Sequence, residues 1–207
     1  SGMLVSWRLL GTDRESTYFK LYKDGVLIYT ADQNRATAYL DKSGNKYSRY
    51  TLETYQGTEK TESSELTAVL EKGYMDIPLE KPGYDYMASD CSVGDVDGDG
   101  EYEIFVKWDP ADAKDNSQEG VTGNVFIDCY TLKGKKLWRI DLGRNIRAGA
   151  HYTQFMVYDF DGDGKSEMIC KTADGTVDGK GKPLTYDTKS YGNQAGYILE
   201  GNEYLTV

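Results

Sequence analysis

The sequence predicts an all-β chain divided into two domains. Residues 4–71 consist of short runs in which apolar and polar residues alternate, without the period of an amphipathic helix. The charge is divided unevenly: residues 1–72 hold ten basic and ten acidic side chains, whereas residues 73–207 hold 14 and 24 and so carry the whole net charge of −10. A strongly acidic motif also occurs twice in the second part. We therefore expect two domains with different roles, over residues 1–72 and 73–207.

The first domain is predicted to be a β-sandwich that resembles a fibronectin type III module. Four segments alternate, and they are marked by Val5, Trp7 and Leu9, by Phe19 and Leu21, by Tyr50, Leu52 and Thr54, and by Leu66, Ala68 and Leu70. Asp24 and Gly25, which precede a second run at Val26–Tyr29, are typical of a two-residue β-hairpin turn. Strands separated by turn signals at this spacing indicate a sandwich. We expect a packing or spacer domain, with weak sugar binding as the alternative.

The second domain is built on the acidic repeat. Gly94–Ile104 recurs as Tyr158–Met168, and each matched carboxylate is offset by 64 residues. An apolar strand follows each copy, and a hairpin formed by Val125–Tyr130 and Leu137–Leu142 is predicted between them. A repeated unit of this size is typical of β-propeller blades. Because two blades cannot close a ring, we expect the first blades of a longer propeller. The alternative is an open array that borrows strands from a partner.

Each copy of the repeat contains the pattern D-x-D-G-D-G-x-x-E, which we interpret as a calcium loop. Carboxylates at positions 1, 3 and 5, the carbonyl at position 7 and the acid at position 9 can surround one cation with oxygen, as Ca²⁺ requires. The predicted ligands are Asp95, Asp97, Asp99, Glu101 and Glu103 in the first copy, and Asp159, Asp161, Asp163, Lys165 and Glu167 in the second. Two solvated acidic turns are the alternative, but crowded carboxylates repel each other unless a cation compensates them. We expect the ions to be structural.

A cluster of cationic side chains precedes the second copy of this loop. Arg144, Arg147 and His151, the only histidine, lie close together in an otherwise acidic domain. Such a cluster either binds an anionic substrate or packs within the domain. The segment 109–120 adds four oxygen-bearing side chains, Asp109, Asp112, Asp115 and Asn116. We interpret these four as further ligands or as part of a solvated insertion.

The composition argues against nucleic-acid and membrane partners. A net charge of −10 does not suit a protein that neutralises phosphate. The longest apolar runs fall well short of the roughly 20 residues of a membrane helix. Cys91, Cys129 and Cys170 lie in apolar segments without C-x-x-C spacing, so we interpret all three as buried small hydrophobic residues, with a disulfide between two of them as the alternative.

Together, these motifs resemble those of the rhamnogalacturonan lyases of polysaccharide lyase family 11. The similarity is carried by Leu4–Asp13, Gly94–Pro110, Lys114–Gln118, Leu137–Arg139, Arg147–Phe155, Asp159–Gly164 and Lys171–Thr176. These segments extend over nearly the whole chain. The most specific part is Arg147–Phe155, which runs directly into the second acidic loop.

The resemblance implies an eight-bladed, calcium-containing propeller preceded by a small β-domain. It also implies a secreted enzyme that cleaves the rhamnogalacturonan I backbone of pectin by β-elimination, with this chain as its N-terminal part. Elimination beside a uronate needs a base and a cation that neutralises the carboxylate. His151 and Arg147 are the catalytic candidates, with the rest of the protein as the other source of the base. Asn116, Lys171 and Arg144 are the substrate-binding candidates.

A second functional class is compatible with the same loops. Aspartate-rich calcium loops also occur in adhesion propellers that catalyse no reaction. The alternative is therefore a calcium-stabilised, non-catalytic carbohydrate-binding or adhesion module.

Overall fold

The structure of the protein, a computed structural model, describes residues 2–11, 13–32, 34–66 and 72–207. These residues form thirteen β-strands and no helix, which confirms the predicted all-β class. The chain separates into two compact units, Ser1–Met75 and Asp76–Val207. Within the described ranges, no helix is long and apolar enough to span a membrane.

The first unit contains six strands in two antiparallel sheets. The strands are β1 (Met3–Ser6), β2 (Thr17–Lys23), β3 (Val26–Ala31), β4 (Ala38–Asp41), β5 (Tyr50–Gln56) and β6 (Glu59–Leu66). One sheet has the order β3-β2-β5-β6, and the other is the pair β1-β4. Both sheets contribute to one apolar core, which includes Val5 of β1 and the fully buried Leu21 of β2. The fibronectin type III-like topology stays a prediction.

The hairpin predicted in this unit is confirmed. Asp24 and Gly25 connect β2 to β3 with φ angles of 49° and 80°. Positive φ at both central residues is the requirement of a type I′ turn, whose twist matches that of the flanking strands. The alternation predicted at Leu66, Ala68 and Leu70 lies outside the described residues, apart from the backbone of Leu66 in β6.

A buried carboxylate, Asp41, joins the end of β4 to the core of the first unit. It accepts hydrogen bonds from Ser43 Oγ at 2.7 Å and Tyr50 OH at 2.8 Å, and Lys23 Nζ lies 3.1 Å away. Hydrogen bonds from Ser43 and then Tyr50 hold the pKa of Asp41 well below its usual range. Folding therefore favours the ionised form of Asp41.

This shift predicts an acid-sensitive first unit. The unfolded carboxyl titrates near pH 4, at roughly 3.9. Because the folded pKa of Asp41 is lower, its stabilising effect is complete above about pH 4 and is lost as the pH falls through the folded pKa. We expect Asp41→Asn to weaken the unit at pH 7 and to flatten its loss of stability below pH 4. Urea titrations followed by the amide signals of Leu21 test this result. Asp32→Asn, at an exposed acid of the same unit, is the control and should keep the wild-type profile.

The second unit contains seven strands in two antiparallel sheets. They are β7 (Tyr86–Gly94), β8 (Glu103–Pro110), β9 (Phe126–Tyr130), β10 (Lys136–Asp141), β11 (Phe155–Tyr158), β12 (Glu167–Ala173) and β13 (Glu203–Thr206). The first sheet has the order β10-β9-β8-β7 and the second has the order β11-β12-β13. The strand predicted after each acidic loop and the hairpin between the loops are thus confirmed. That these sheets are propeller blades stays a prediction.

The two sheets of the second unit share an apolar core. Ile127 of β9 is fully buried in it, and Cys170 of β12 lies in the same cluster. Burial raises the pKa of the Cys129 thiol to about 12 and that of Cys170 to about 11, so both thiols stay protonated. The prediction of burial is wrong for Cys91, which is exposed on the edge strand β7, where the pairing with β8 shifts register between Ala88 and Cys91.

A second buried carboxylate, Asp128, organises the other face of the first sheet. It has no exposed surface and accepts hydrogen bonds from Trp108 Nε1 at 2.8 Å and Tyr130 OH at 2.7 Å. Arg139 donates from Nε and Nη2, both at 2.7 Å. Tyr130 and Arg139 also bond the backbone of Glu80, which fastens the segment before β7 to the sheet.

Candidate functional site

The two acidic loops fold in the same way, residue for residue. We call Asp95–Glu103 the first loop and Asp159–Glu167 the second loop. In the first loop, Gly98 N donates to Asp95 Oδ1 at 2.7 Å, and Val96 N donates to Glu103 Oε2 at 3.0 Å. All six hydrogen bonds from backbone N–H groups to carboxylates recur in the second loop at the offset of 64 residues. The sequence repeat is therefore also a structural repeat.

The glycines of the motif allow this shape. Gly98 and Gly100 have φ angles of 81° and 86°, and Gly162 and Gly164 have φ angles of 79° and 88°. Side-chain-bearing residues rarely adopt such values, so the curl that brings the carboxylates together depends on glycine at these positions.

The resulting carboxylates are close enough to share a cation. One oxygen from each of Asp95, Asp97 and Asp99 lies within 4.8 Å of the others in the first loop. In the second loop, Asp159, Asp161 and Glu167 form the same kind of group. Hydrogen bonds from backbone N–H groups, that of Gly100 first, lower the pKa of Asp95. The atoms available as metal ligands are all oxygens, which Ca²⁺ and other hard cations prefer.

The remaining predicted ligands take part in the hydrogen bonds of the loops. Glu103 is buried and bonds the loop backbone, whereas Asp163 accepts from Lys165 N at 2.9 Å. Glu101 N likewise donates to Asp99 Oδ1 at 2.7 Å.

The two loops also touch each other. Ser166 N, in the second loop, donates to the backbone oxygen of Asp95, in the first loop, at 2.6 Å. This hydrogen bond spans the junction between the two sheets of the second unit.

His151 is paired with a carboxylate from a distant part of the chain. His151 Nδ1 lies 2.7 Å from Asp115 Oδ1, and both side chains are partly exposed, at 62% and 44%. Asn116 N also bonds Asp115 Oδ1 at 2.7 Å. The hydrogen bond from His151, followed by that of Asn116, lowers the pKa of Asp115. An ionised Asp115 can only accept, so Nδ1 of His151 carries a proton; when the ring is neutral, Nε2 is then the unprotonated nitrogen. Among the described residues none bonds Nε2, which is left as a free acceptor.

Arg147 lies behind this pair and is buried, at 4% exposure. Nη1 donates to the backbone oxygen of Asp115 at 3.1 Å, and Nη2 donates to the backbone oxygens of Gln118 and Gly120. The guanidinium also packs against the ring of Tyr197, whose centroid is 4.6 Å away. Its hydrogen bonds therefore go mainly to the 109–120 segment.

A small cavity of about 100 Å³ connects two of the predicted residues. Arg147 and Lys171 both line it, together with Tyr152 and Tyr197. Lys171 is paired with Glu203 at 2.8 Å. Arg144 is exposed and is not among the lining residues.

Sequence reasoning missed three partners in this region. Asp115 is predicted only as a further oxygen ligand, although it is the partner of His151. Tyr152, whose hydroxyl lies 3.2 Å from Arg147 Nη1, and Tyr197 are not predicted as site residues. The position of Tyr152 next to His151 is the one available signal. Tyr197 is 50 residues from Arg147, and no local pattern connects them.

The chain matches two families of known proteins along its length. Residues 1–70 match the family described as rhamnogalacturonan I lyases, beta-sheet domain, and residues 70–207 match rhamnogalacturonan lyase family 11, C-terminal domain. The whole chain is 52% identical to the rhamnogalacturonan endolyase YesW of Bacillus subtilis and 50% identical to the exolyase YesX of the same species. It spans 34% and 35% of their lengths.

Solved structures agree with the sequence comparison. The crystal structure of the exotype lyase YesX superposes with a TM-score of 0.81 over 99% of this chain and 35% of that chain. The crystal structure of YesW gives a TM-score of 0.81 over 99% of this chain and 36% of the other. These relatives are polysaccharide lyases. The chain belongs to rhamnogalacturonan lyase family 11, which confirms the resemblance drawn from its motifs.

Proposed function

We propose that this chain is the N-terminal part of a calcium-dependent rhamnogalacturonan lyase that cleaves the rhamnogalacturonan I backbone of pectin by β-elimination. The observation that carries the proposal is the identity of 50% and 52% to two rhamnogalacturonan lyases along the entire chain. The chain spans about a third of their length, so its partner in the complete enzyme is the remaining polypeptide. We further propose secretion, because pectin is an extracellular polymer.

The two acidic loops are the proposed calcium sites. Asp95, Asp97 and Asp99 would hold one ion, and Asp159, Asp161 and Glu167 would hold the other, as their clustered oxygens support. The other predicted ligands, Glu101, Glu103, Asp163 and Lys165, complete the two sets. Bound there, Ca²⁺ supplies positive charge that compensates the carboxylates. Its role is structural, because the loop residues bond mainly to their own backbone.

The elimination itself requires a base and a cation near the uronate. Nε2 of His151 is a free acceptor on an exposed side chain, as a base that removes the C5 proton must be. Arg144 is exposed and Lys171 is partly exposed, so both cations can meet the uronate carboxylate. Asn116, also exposed, can bond the sugar hydroxyls.

A chimera tests the function. The chain replaces the corresponding third of the Bacillus subtilis endolyase, and the release of unsaturated, ultraviolet-absorbing products from rhamnogalacturonan I is measured. We expect product from the chimera and a loss of roughly 10²-fold or more in kcat for its His151→Gln variant, as for removal of a general base. Glu119→Ala, at an exposed acid near the same residues, should match the unmodified chimera. A folded chimera that binds the polymer without cleaving it would instead support the non-catalytic module.

A further inference from the structure

Two backbone segments meet at the candidate active site and are fixed to each other. Lys114 N donates to the oxygen of Ala148 at 3.0 Å, and Ala148 N donates to Thr122 Oγ1 at 2.9 Å. Gly149 permits this approach, because a Cβ atom at that position would lie 2.1 Å from the backbone oxygen of Lys114. The position of the 109–120 segment is thus set by the segment that carries His151.

The side chain of Arg147 also connects these two segments. Its two terminal nitrogens reach three backbone oxygens, those of Asp115, Gln118 and Gly120. Five N–H donors in one rigid plane make arginine suited to such a multiple contact, which the single ammonium of lysine cannot reproduce. The burial of Arg147 and its contact with Tyr197 keep the guanidinium away from solvent.

The geometry points to Asp115 and Arg147 as positioning residues for His151. Arg147 fastens the 109–120 segment, which places Asp115 beside the imidazole. Asp115 then accepts from Nδ1 and holds the ring in the tautomer that exposes Nε2 as a proton acceptor. Arg147 is therefore assigned to the segment, and not to the catalytic role that the resemblance implies for it. This inference rests on the proposed function, in which Nε2 is the base.

The test uses the fact that the chain contains one histidine. Nitrogen-15 labelling of histidine gives one imidazole spin system, whose two nitrogen shifts report the tautomer of the neutral ring. We expect Nδ1 to carry the proton in the wild type. In Asp115→Ala the ring should change to a population dominated by the Nε2–H tautomer. Asp115→Ser replaces this variant if the alanine substitution prevents folding.

Two further variants separate positioning from general stability. Arg147→Lys keeps the positive charge but loses the contact with three carbonyls, so we expect part of the Nδ1–H population to be lost while the circular dichroism spectrum is unchanged. Glu119→Ala should keep the wild-type shifts. A wild-type ring protonated on Nε2, or unchanged shifts in Asp115→Ala, overturns the role of Asp115. Unchanged shifts in folded Arg147→Lys overturn that of Arg147.

Activity distinguishes this inference from the proposed function. In the chimera, Asp115→Ala should lower kcat by roughly 10-fold or more, within the contribution of a general base, with little change in KM. If the tautomer is as expected and His151→Gln retains full kcat, the positioning role stands and the base of the proposed function is wrong. If the chimera cleaves the polymer but the tautomer does not respond to Asp115, the proposed function stands and the positioning role fails.

Discussion

Replacing Asp128 with alanine is expected to destabilise the second unit by about 3–5 kcal/mol, the cost of breaking a buried ion pair on one side. Asp128 is fully buried and is the acceptor for Trp108, Tyr130 and Arg139 at 2.7–2.8 Å. Its removal leaves the indole N–H without an acceptor and the guanidinium without its carboxylate. The backbone of Glu80, which Arg139 also bonds, should loosen as a result.

Urea unfolding followed by tryptophan fluorescence measures the loss, because Trp108 and Trp138 both lie in this unit. Asp128→Asn should give an intermediate value, since the amide retains an oxygen acceptor but not the charge that balances Arg139. Glu119→Ala is the surface control and should unfold with the wild type. If Asp128→Ala unfolds at the same urea concentration as this control, the expected result is wrong. Water or a rearranged Glu80 would then be accepting the hydrogen bonds that Asp128 accepts in the wild type.

Chelation of divalent cations is expected to lower the melting temperature of the second unit, because it removes the ions from the proposed calcium sites. A site occupied at 100 times its Kd stabilises the folded state by about 2.7 kcal/mol, so two sites contribute about 5 kcal/mol. For a unit of this size, that corresponds to a fall in Tm of roughly 10–20 °C. Excess Ca²⁺ should restore the original Tm, whereas Mg²⁺ should restore it poorly because it keeps its own water ligands.

The double variant Asp97→Asn, Asp161→Asn gives the matched comparison. Both side chains are exposed, so their replacement removes ligands without disturbing the core. We expect this variant to melt at the chelated Tm and to show no further response to chelator. The single variants should each lose about half of the calcium effect. Identical melting curves for the wild type with Ca²⁺ and with chelator would contradict the calcium sites altogether.

The parts of the molecule that could be predicted from the sequence are those encoded locally. The turn at Asp24 and Gly25 depends on two adjacent residues, and each acidic loop depends on nine. In the turn Asp24 and Gly25 adopt positive φ angles, and in the loops the glycines do, so composition and conformation agree. The repeat at 64 residues predicts that the two loops are equivalent, and their matching hydrogen bonds confirm it.

The relationships that were missed are between residues distant in sequence. Asp115 and His151 are 36 residues apart, and only the folded chain brings their side chains to 2.7 Å. In the sequence Arg147 resembles a ligand-binding cation. Its partners are backbone carbonyls, which every residue has, so the sequence does not reveal them. The prediction of burial is wrong for Cys91 for a related reason, since its neighbours in sequence do not reveal that β7 is an edge strand.

The hydrogen bond between Ser166 N and the oxygen of Asp95 makes one amide a reporter on both acidic loops. Its proton can exchange with solvent only when the junction between the two sheets opens. The exchange rate at Ser166 therefore measures the free energy of that local opening, separately from global unfolding. A cation that stiffens either loop would slow exchange at this amide. The exchange rate of this single resonance therefore reports how strongly the two repeats are held together.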